Sequence, residues 1–327
     1  MAGAWTVREH GDPEMVLRWE MMPDPRLATG QVRVRVAATS CNFADVLLCR
    51  GDYQQKPTMP FTPGLEVCGI VDQIGEGVAP ELLGRRVVGQ PTLPHGGYAE
   101  LAVMEAYGAV AVPEELDDVV AATLHLTYLT AWLGLHRRAR IGVGDIVVVT
   151  AAAGGVGSAA IQLACAAGAM VIGIASGPEK VAQVAALGAQ LAIDGSSEDV
   201  IARVKEAAPR GADVVFDPVG GDAYECATKY IAFEGTIVVA GFASGAIPQP
   251  RLNHAFVKNY TIAGLHWTLY RHQNPMLLQQ AQSALFDMAS TGEIAPLITA
   301  RLGIADVPQA LNALARGNTL GKTVIQL

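Results

Sequence analysis

Ile146-Val147-Val148-Val149-Thr150-Ala151-Ala152-Ala153-Gly154-Gly155-Val156-Gly157 carries a β-branched run straight into a glycine cluster, and an alanine-rich stretch continues to Gly168. The run predicts a buried strand over Asp145–Thr150, the glycines a tight turn, and the alanines a helix over Val156–Ala167. Ala169–Ala175 predicts the next strand. Strand, turn, helix and strand of this length make a right-handed βαβ unit with a parallel sheet. A glycine turn in that place lets the main chain approach a pyrophosphate, while the N–H groups of Val156, Gly157 and Ser158 point outward at the helix start. Gly157 also permits close packing of helix on strand. Ala152 occupies the first position of G-x-G-x-x-G, so the match is imperfect and the βαβ context gives it its weight. The expectation is a dinucleotide site on Gly154, Gly155, Val156 and Gly157.

The same alternation continues downstream. Helices are expected at Pro178–Leu187, Ser197–Ala208 (capped by Ser196 or Ser197) and Tyr224–Phe233. Strands are expected at Leu191–Ile193, Val214–Phe216 and Thr236–Ala240, with an edge strand at Tyr260–Leu265. Helix returns from Pro275, and Lys322–Leu327 closes the chain as a strand. Upstream, Val32, Val34 and Val36 alternate with Gln31, Arg33 and Arg35, the mark of a half-buried strand. The Pro- and Gly-punctuated stretch that follows fits short strands closing as a small barrel. A helical pattern runs from Leu116 to Arg140.

Composition narrows the class. Of 327 residues, 51% are hydrophobic and 17% charged, which suits a packed core and not a disordered chain. The net charge of −8, without a basic run, is a poor match to nucleic acid or an anionic membrane. No charged residue or histidine occurs from Ile146 to Pro178, a length beyond the roughly 20 residues of a membrane span. Its strand–turn–helix–strand pattern is nevertheless that of a buried sheet. Five scattered cysteines with no C-x-x-C spacing argue against a disulfide framework and a compact structural zinc site. The charged N-terminus, with Arg8, Glu9, Asp12 and Glu14, lacks a signal-peptide pattern, so a cytoplasmic location is expected.

The second strand of the βαβ unit ends Ile174-Ala175-Ser176-Gly177, without the acid that usually accepts from the ribose hydroxyls of NAD. Ser176 and Lys180 would instead meet a 2′-phosphate, which favours NADPH. Lys180 would serve equally as a solvated residue on the first helical turn.

These residues support a family resemblance. Asn42-Phe43-Ala44-Asp45, Gly51-Asp52-Tyr53, Pro60-Phe61-Thr62-Pro63-Gly64-Leu65-Glu66-Val67-Cys68-Gly69, Thr130-Ala131-Trp132, Phe216-Asp217-Pro218-Val219-Gly220-Gly221 and Gly321-Lys322 resemble the zinc-free medium-chain dehydrogenase/reductases of the quinone oxidoreductase, zeta-crystallin-like group. The resemblance implies an α/β fold: a doubly wound parallel Rossmann sheet over 123–264, plus a GroES-like β-barrel catalytic domain from 1–122 and 265–327. It further implies a homodimer or homotetramer joined through the edge strand. Metal-dependent relatives carry ligands at positions that are Asn42 and Leu65 here, so no metal is expected.

By resemblance, Asn42 and Tyr53 lie near nicotinamide and substrate, where Asn42 can donate an amide N–H and Tyr53 a hydrogen bond or proton. Thr130 would touch the cofactor, Phe242 would meet the carboxamide through its backbone, and Lys322 would lie near the cofactor. Each has a plainer reading: Tyr53 as a packing aromatic, Thr130 as a buried helix residue, Lys322 as a solvated strand lysine. The tyrosine that many NADPH-using relatives carry beside the 2′-phosphate is absent from Asp194-Gly195-Ser196. The implied activity is NADPH-dependent hydride transfer, without metal, to a small-molecule quinone or α,β-unsaturated carbonyl. An enoyl- or acrylyl-thioester reductase is the alternative, with Arg50, Lys56 and Arg271 as candidate cations. A non-catalytic, crystallin-like NADPH-binding protein is the alternative of another class.

Overall fold

In the computed structural model, which describes residues 1–327, the chain divides into a first unit of Met1–Leu126, Arg271–Thr291 and Ile298–Leu327 and a second of Thr127–Tyr270 and Gly292–Leu297. The elements run β1 (Ala2–Val7), α1 (Pro13–Val16), β2 (Leu17–Met22), β3 (Gln31–Ser40), α2 (Phe43–Arg50), β4 (Val67–Ile74), β5 (Arg86–Gly89), β6 (Leu101–Glu105), β7 (Val110–Ala111) and α3 (Asp118–Trp132). Then come β8 (Ile146–Val149), α4 (Gly155–Ala166), β9 (Met170–Ala175), α5 (Pro178–Ala186), β10 (Leu191–Asp194), α6 (Val200–Ala207), β11 (Ala212–Asp217), α7 (Gly221–Tyr230), β12 (Ile231–Val239), α8 (Leu252–Lys258) and β13 (Thr261–Gly264). The chain ends with α9 (Thr268–Gln273), α10 (Pro275–Ser290), β14 (Ile298–Gly303), α11 (Val307–Ala315) and β15 (Lys322–Gln326).

The first unit holds a seven-stranded sheet in the order β14-β15-β3-β4-β5-β7, with β6 also paired to β3, and a separate β1–β2 hairpin. Alternation on β3 buries Val32, Val34 and Val36 against Val67, Val71, Val87, Ala102 and Met104. Each such side chain removed from water contributes roughly 1.5–3 kcal/mol before entropy is counted. The second unit is a six-stranded parallel sheet, β10-β9-β8-β11-β12-β13. Its strands read as near-continuous apolar runs because helices cover both faces, and Val148, Ile172, Ile193, Val215 and Ile237 share one core. The uncharged 146–178 stretch is therefore sheet and helix, β8-α4-β9.

Several expected boundaries move. The units part within α3 and again at Tyr270/Arg271, not at 122/123 and 264/265. Gly292–Leu297 returns to the second unit because the Ala295 N–H donates to Gln162 Oε1 on α4 at 2.7 Å. The helix expected over Tyr224–Phe233 ends at Tyr230, and Ile231, buried and paired with Ala212, already opens β12. Neither Ser196 nor Ser197 caps α6; Asp199 does, accepting from Ala202 N–H at 3.0 Å.

Candidate active site

In the second unit, β9 and β10 lie on one side of β8, and β11, β12 and β13 on the other. The strand order therefore reverses between β8 and β11, the point where open α/β sheets bind ligands beyond their C-terminal ends. The turn after β8 sits there. Ala151 takes a left-handed φ of 45°, and Gly154 N–H closes the turn on Ala151 O at 2.9 Å. A non-glycine residue in that region costs roughly 1–3 kcal/mol and persists only where its surroundings hold it. A Cβ on Gly157 would lie 2.3 Å from Ala151 O, so only glycine lets α4 approach this closely. No side chain caps α4 at Gly154, and Gly154, Gly155 and Val156 are half-exposed. Main-chain N–H groups at an uncapped helix start are what a diphosphate needs, so these residues fit a dinucleotide.

The second glycine pair of the sequence has a separate cause. Asp217 is fully buried at the end of β11 and accepts from Thr150 Oγ1 at 2.7 Å, Val219 N–H at 2.9 Å and Gly220 N–H at 3.2 Å. It ties the ends of β8 and β11 together. Phe242 follows β12, half-buried, with its ring 3.0 Å from the place of a Cβ on Gly220. Thr130 is buried on α3. Ser176 is exposed after β9, and Lys180 is half-buried on the first turn of α5.

β9 ends without an acid, but the parallel register sets Asp194 of β10 opposite Ala175, and its carboxylate accepts from Gly177 N–H at 2.9 Å. Hydrogen bonds from the Ser196 hydroxyl, then from the Gly177 and Ser196 N–H groups, lower this carboxyl to about 2. An acid thus reaches the Ser176–Gly177 corner from the third strand, where the sequence spacing did not look for it.

In the first unit, three strand ends converge. Antiparallel register pairs Val324 with Ser40 and Thr39 with Val67, which sets Lys322 opposite Asn42 and Glu66 opposite Ser40. Glu66 is fully buried; its Oε1 accepts from Ser40 Oγ, from Asn42 Nδ2 at 2.8 Å and from Lys322 Nζ at 3.2 Å. Its Oε2 accepts from Leu126 N–H at 2.7 Å. The Lys322 ammonium, only 4% exposed, also donates to Asn42 Oδ1 at 2.7 Å and to Cys41 O at 3.0 Å. All three of its hydrogens have acceptors, so the plainer reading of Lys322 as a solvated lysine does not hold.

This arrangement decides what Asn42 can do. Lys322 only donates, so the amide oxygen must face it, and Nδ2 faces Glu66 and Ser40 O (3.2 Å). Both amide hydrogens are engaged, and neither is left for an acceptor oxygen. Beneath it, Asp45 is fully buried and accepts from Asn42 N–H at 3.0 Å, Gly64 N–H at 3.1 Å and the Tyr98 hydroxyl at 2.8 Å. Burial pushes Asp45 up to about 6 against those hydrogen bonds, and pushes the adjacent Cys41 thiol up to about 12. Tyr53 lies on the loop after α2, half-buried, its N–H donating to Leu47 O at 3.2 Å. Ser40, Asp45, Glu66 and Tyr98 escaped sequence reasoning as site residues. Glu66 stood there only inside the Pro60–Gly69 stretch, and no spacing announces that a strand 256 residues away brings its ammonium.

The candidate cations for a thioester differ in exposure and partners. Arg50 pairs with exposed Asp12 at 2.8 Å, Lys56 is exposed, and Arg271 is buried.

Residues 28–114 match the family described as alcohol dehydrogenase GroES-like domain, and residues 155–283 that described as zinc-binding dehydrogenase. The chain is 39% identical over 302 residues to the quinone oxidoreductase-like protein 2 homolog of Nematostella vectensis, covering 91% of this chain and 82% of that one. It superposes over its full length on the quinone oxidoreductase of Pseudomonas syringae pv. Tomato (TM-score 0.93, 33% identity, 100% of both chains). It does so equally on that of Escherichia coli complexed with NADPH (TM-score 0.93, 29% identity, 100% of both chains). The chain belongs to the quinone oxidoreductase group of the medium-chain dehydrogenase/reductases, a family of NAD(P)-dependent oxidoreductases.

The zinc that the second family description implies has no ligand set here. Asn42 and Leu65 stand where ligands would be, Asn42 is bonded to an ammonium, and no group of three or more His, Cys, Asp or Glu could hold a metal ion. The residues do not fit the ion.

Proposed function

We propose that this protein transfers hydride from NADPH to a quinone or to the β-carbon of an α,β-unsaturated carbonyl, without a metal. The reading is carried by the presence in one chain of an uncapped, glycine-lined helix start in the second unit and, in the first unit, a buried ammonium held by Glu66 and Asn42 where a metal ion would need ligands. Bound NADPH supplies the hydride. Gly155, Val156 and Gly157 hold the diphosphate through main-chain N–H groups, Gly154 forms the turn that brings it close, and Ser176 and Lys180 receive the 2′-phosphate. Asn42 acts by position: locked between Lys322 and Glu66, it presents a rigid wall and donates nothing to the acceptor. Tyr53 donates a hydrogen bond to the acceptor oxygen, and the proton that completes the reduction comes from it or from water. An acceptor already activated by conjugation needs no Lewis acid, which suits a site lacking metal ligands.

A second copy of the chain pairs with the first along β13 in this reading. β13 ends the six-stranded sheet, and neighbouring α8 exposes Leu252, Phe256 and Val257.

The test is NADPH oxidation against a panel of quinones, alkenals and acyl-thioesters, with and without a strong chelator. Quinone or enone turnover that survives chelation is expected, with Lys180→Ala weakening NADPH about tenfold and NADH far less. Turnover confined to thioesters, or lost on chelation, overturns the reading.

A further inference from the structure

Two Lys or Arg side chains are buried, and one of them, Lys322, is matched with a carboxylate, Glu66. Arg271 is not. It is 8% exposed, and the acceptors it reaches are neutral: Gln90 O at 3.3 Å, Gln90 Oε1 at 3.0 Å and Thr92 Oγ1 at 3.0 Å. Its Nε–H is buried and meets no acceptor at all. A guanidinium keeps its charge in any protein environment, and a buried charge without a counterion is costly, by several kcal/mol. Gln90 and Thr92 hold the two terminal nitrogens in place and leave the Nε edge, one of the two edges that bind carboxylates in a fork.

Antiparallel register sets Gln90 opposite Glu66, so the guanidinium that Gln90 holds lies beside the cluster at Glu66. His125, one residue before the N–H that holds Glu66, feels the opposite charges of Glu66 and Arg271 and is lowered chiefly by burial. Gln282 Oε1 of α10 accepts from His125 Nδ1–H at 2.9 Å, and Gln282 Nε2 is a second buried donor without an acceptor. Two uncommitted donors, one charged, thus stand on the C-terminal segment next to the acceptor-side cluster.

We propose that Arg271 selects the acceptor by binding a carboxylate that the acceptor carries, so that the preferred substrate is an anionic enone or quinone. This rests on the hydride-transfer reading, and it adds the substrate's charge. The neutral acceptors on Gln90 and Thr92 keep the guanidinium aimed without neutralising it, which a protein carboxylate would do.

The experiment compares (E)-4-oxo-2-pentenoic acid with its methyl ester. For the wild type, kcat/KM for the acid should exceed that for the ester at least tenfold. Arg271→Gln should remove this preference while the ester rate and NADPH affinity hold within about twofold, and Arg271→Lys should restore only part of it. Calorimetric titration of the acid into NADP+-loaded enzyme is read alongside. Binding that depends on Arg271 but yields no turnover leaves the carboxylate site standing and sinks the hydride-transfer reading. Equal wild-type rates for acid and ester with no binding of the acid overturn the proposal, as does an equal loss for both acceptors in Arg271→Gln.

Discussion

The glycine turn after β8 and the cluster around Glu66 are built from opposite materials. Around Gly154–Gly157 the main chain does the work, and side chains matter by being absent: no cap on α4, no Cβ on Gly157. Around Asn42 the side chains do the work, and each bonds another: Ser40, Asn42, Lys322 and the Leu126 N–H all end on Glu66. The first region is open to a ligand because no side chain caps its helix start, although the Gly154 N–H is already spent on Ala151 O. The second is closed because nearly everything in it is satisfied. A reaction that needs a firm wall and a mobile nucleotide has use for both kinds of construction, and the difference predicts how each breaks.

The largest effect is expected where a buried charge loses its partner. Lys322→Met should destabilise the protein by roughly 3–5 kcal/mol in denaturant unfolding, and Lys322→Met with Glu66→Gln should recover much of that. If the double variant is no better than the single one, the cluster is not a charge-balanced unit.

Next comes pH. Burial raises Asp45 from the ordinary carboxyl value to about 6, so the folded state binds this proton more tightly than the unfolded chain. Its contribution to stability is complete below about pH 4 and is lost as pH rises through about 6. Unfolding free energies of wild type and Asp45→Asn, measured from pH 4 to 7, should diverge by on the order of 2–3 kcal/mol across that window. Parallel curves would mean that the carboxylate is better solvated than its burial indicates.

Gly157→Val tests the main-chain region. A Cβ 2.3 Å from Ala151 O must push α4 off the turn, at a cost of roughly 1–3 kcal/mol, and NADPH affinity should fall more than tenfold. Lost stability with intact affinity would separate the packing of α4 from the phosphate site.

The smallest effect belongs to Asp194→Asn. The amide oxygen can still accept from Gly177 N–H, while the negative charge beside Ser176 disappears. The NADPH-to-NADH affinity ratio should rise about threefold by fluorescence titration, and less at high salt. An unchanged ratio would place the 2′-phosphate away from this corner.

What could be read early follows the same division. The β8–α4–β9 unit, the parallel sheet and the glycine turn are local patterns: β-branched runs, an alanine helix and glycines at fixed offsets lie within a few dozen residues, so spacing alone reveals them. Val32, Val34 and Val36 announced β3 for the same reason. Helix ends were less legible: Asp199, not a neighbouring serine, caps α6, and Ile231 leaves helix for strand because tertiary burial outweighs the local preference. The acid beside Ser176 was missed because it arrives from the adjacent strand, two elements later in the chain.

The amino-acid order alone determined that a parallel α/β sheet with a glycine turn would form, and which residue types stand at Asn42 and Leu65. Only the folded chain decided that Lys322 is buried, that Asn42 has no hydrogen to give, and that Arg271 has a charge without a counterion. The physical reason is range. Glycine and β-branching act on their own backbone, whereas a buried ion pair exists only when strand register brings together residues 256 positions apart.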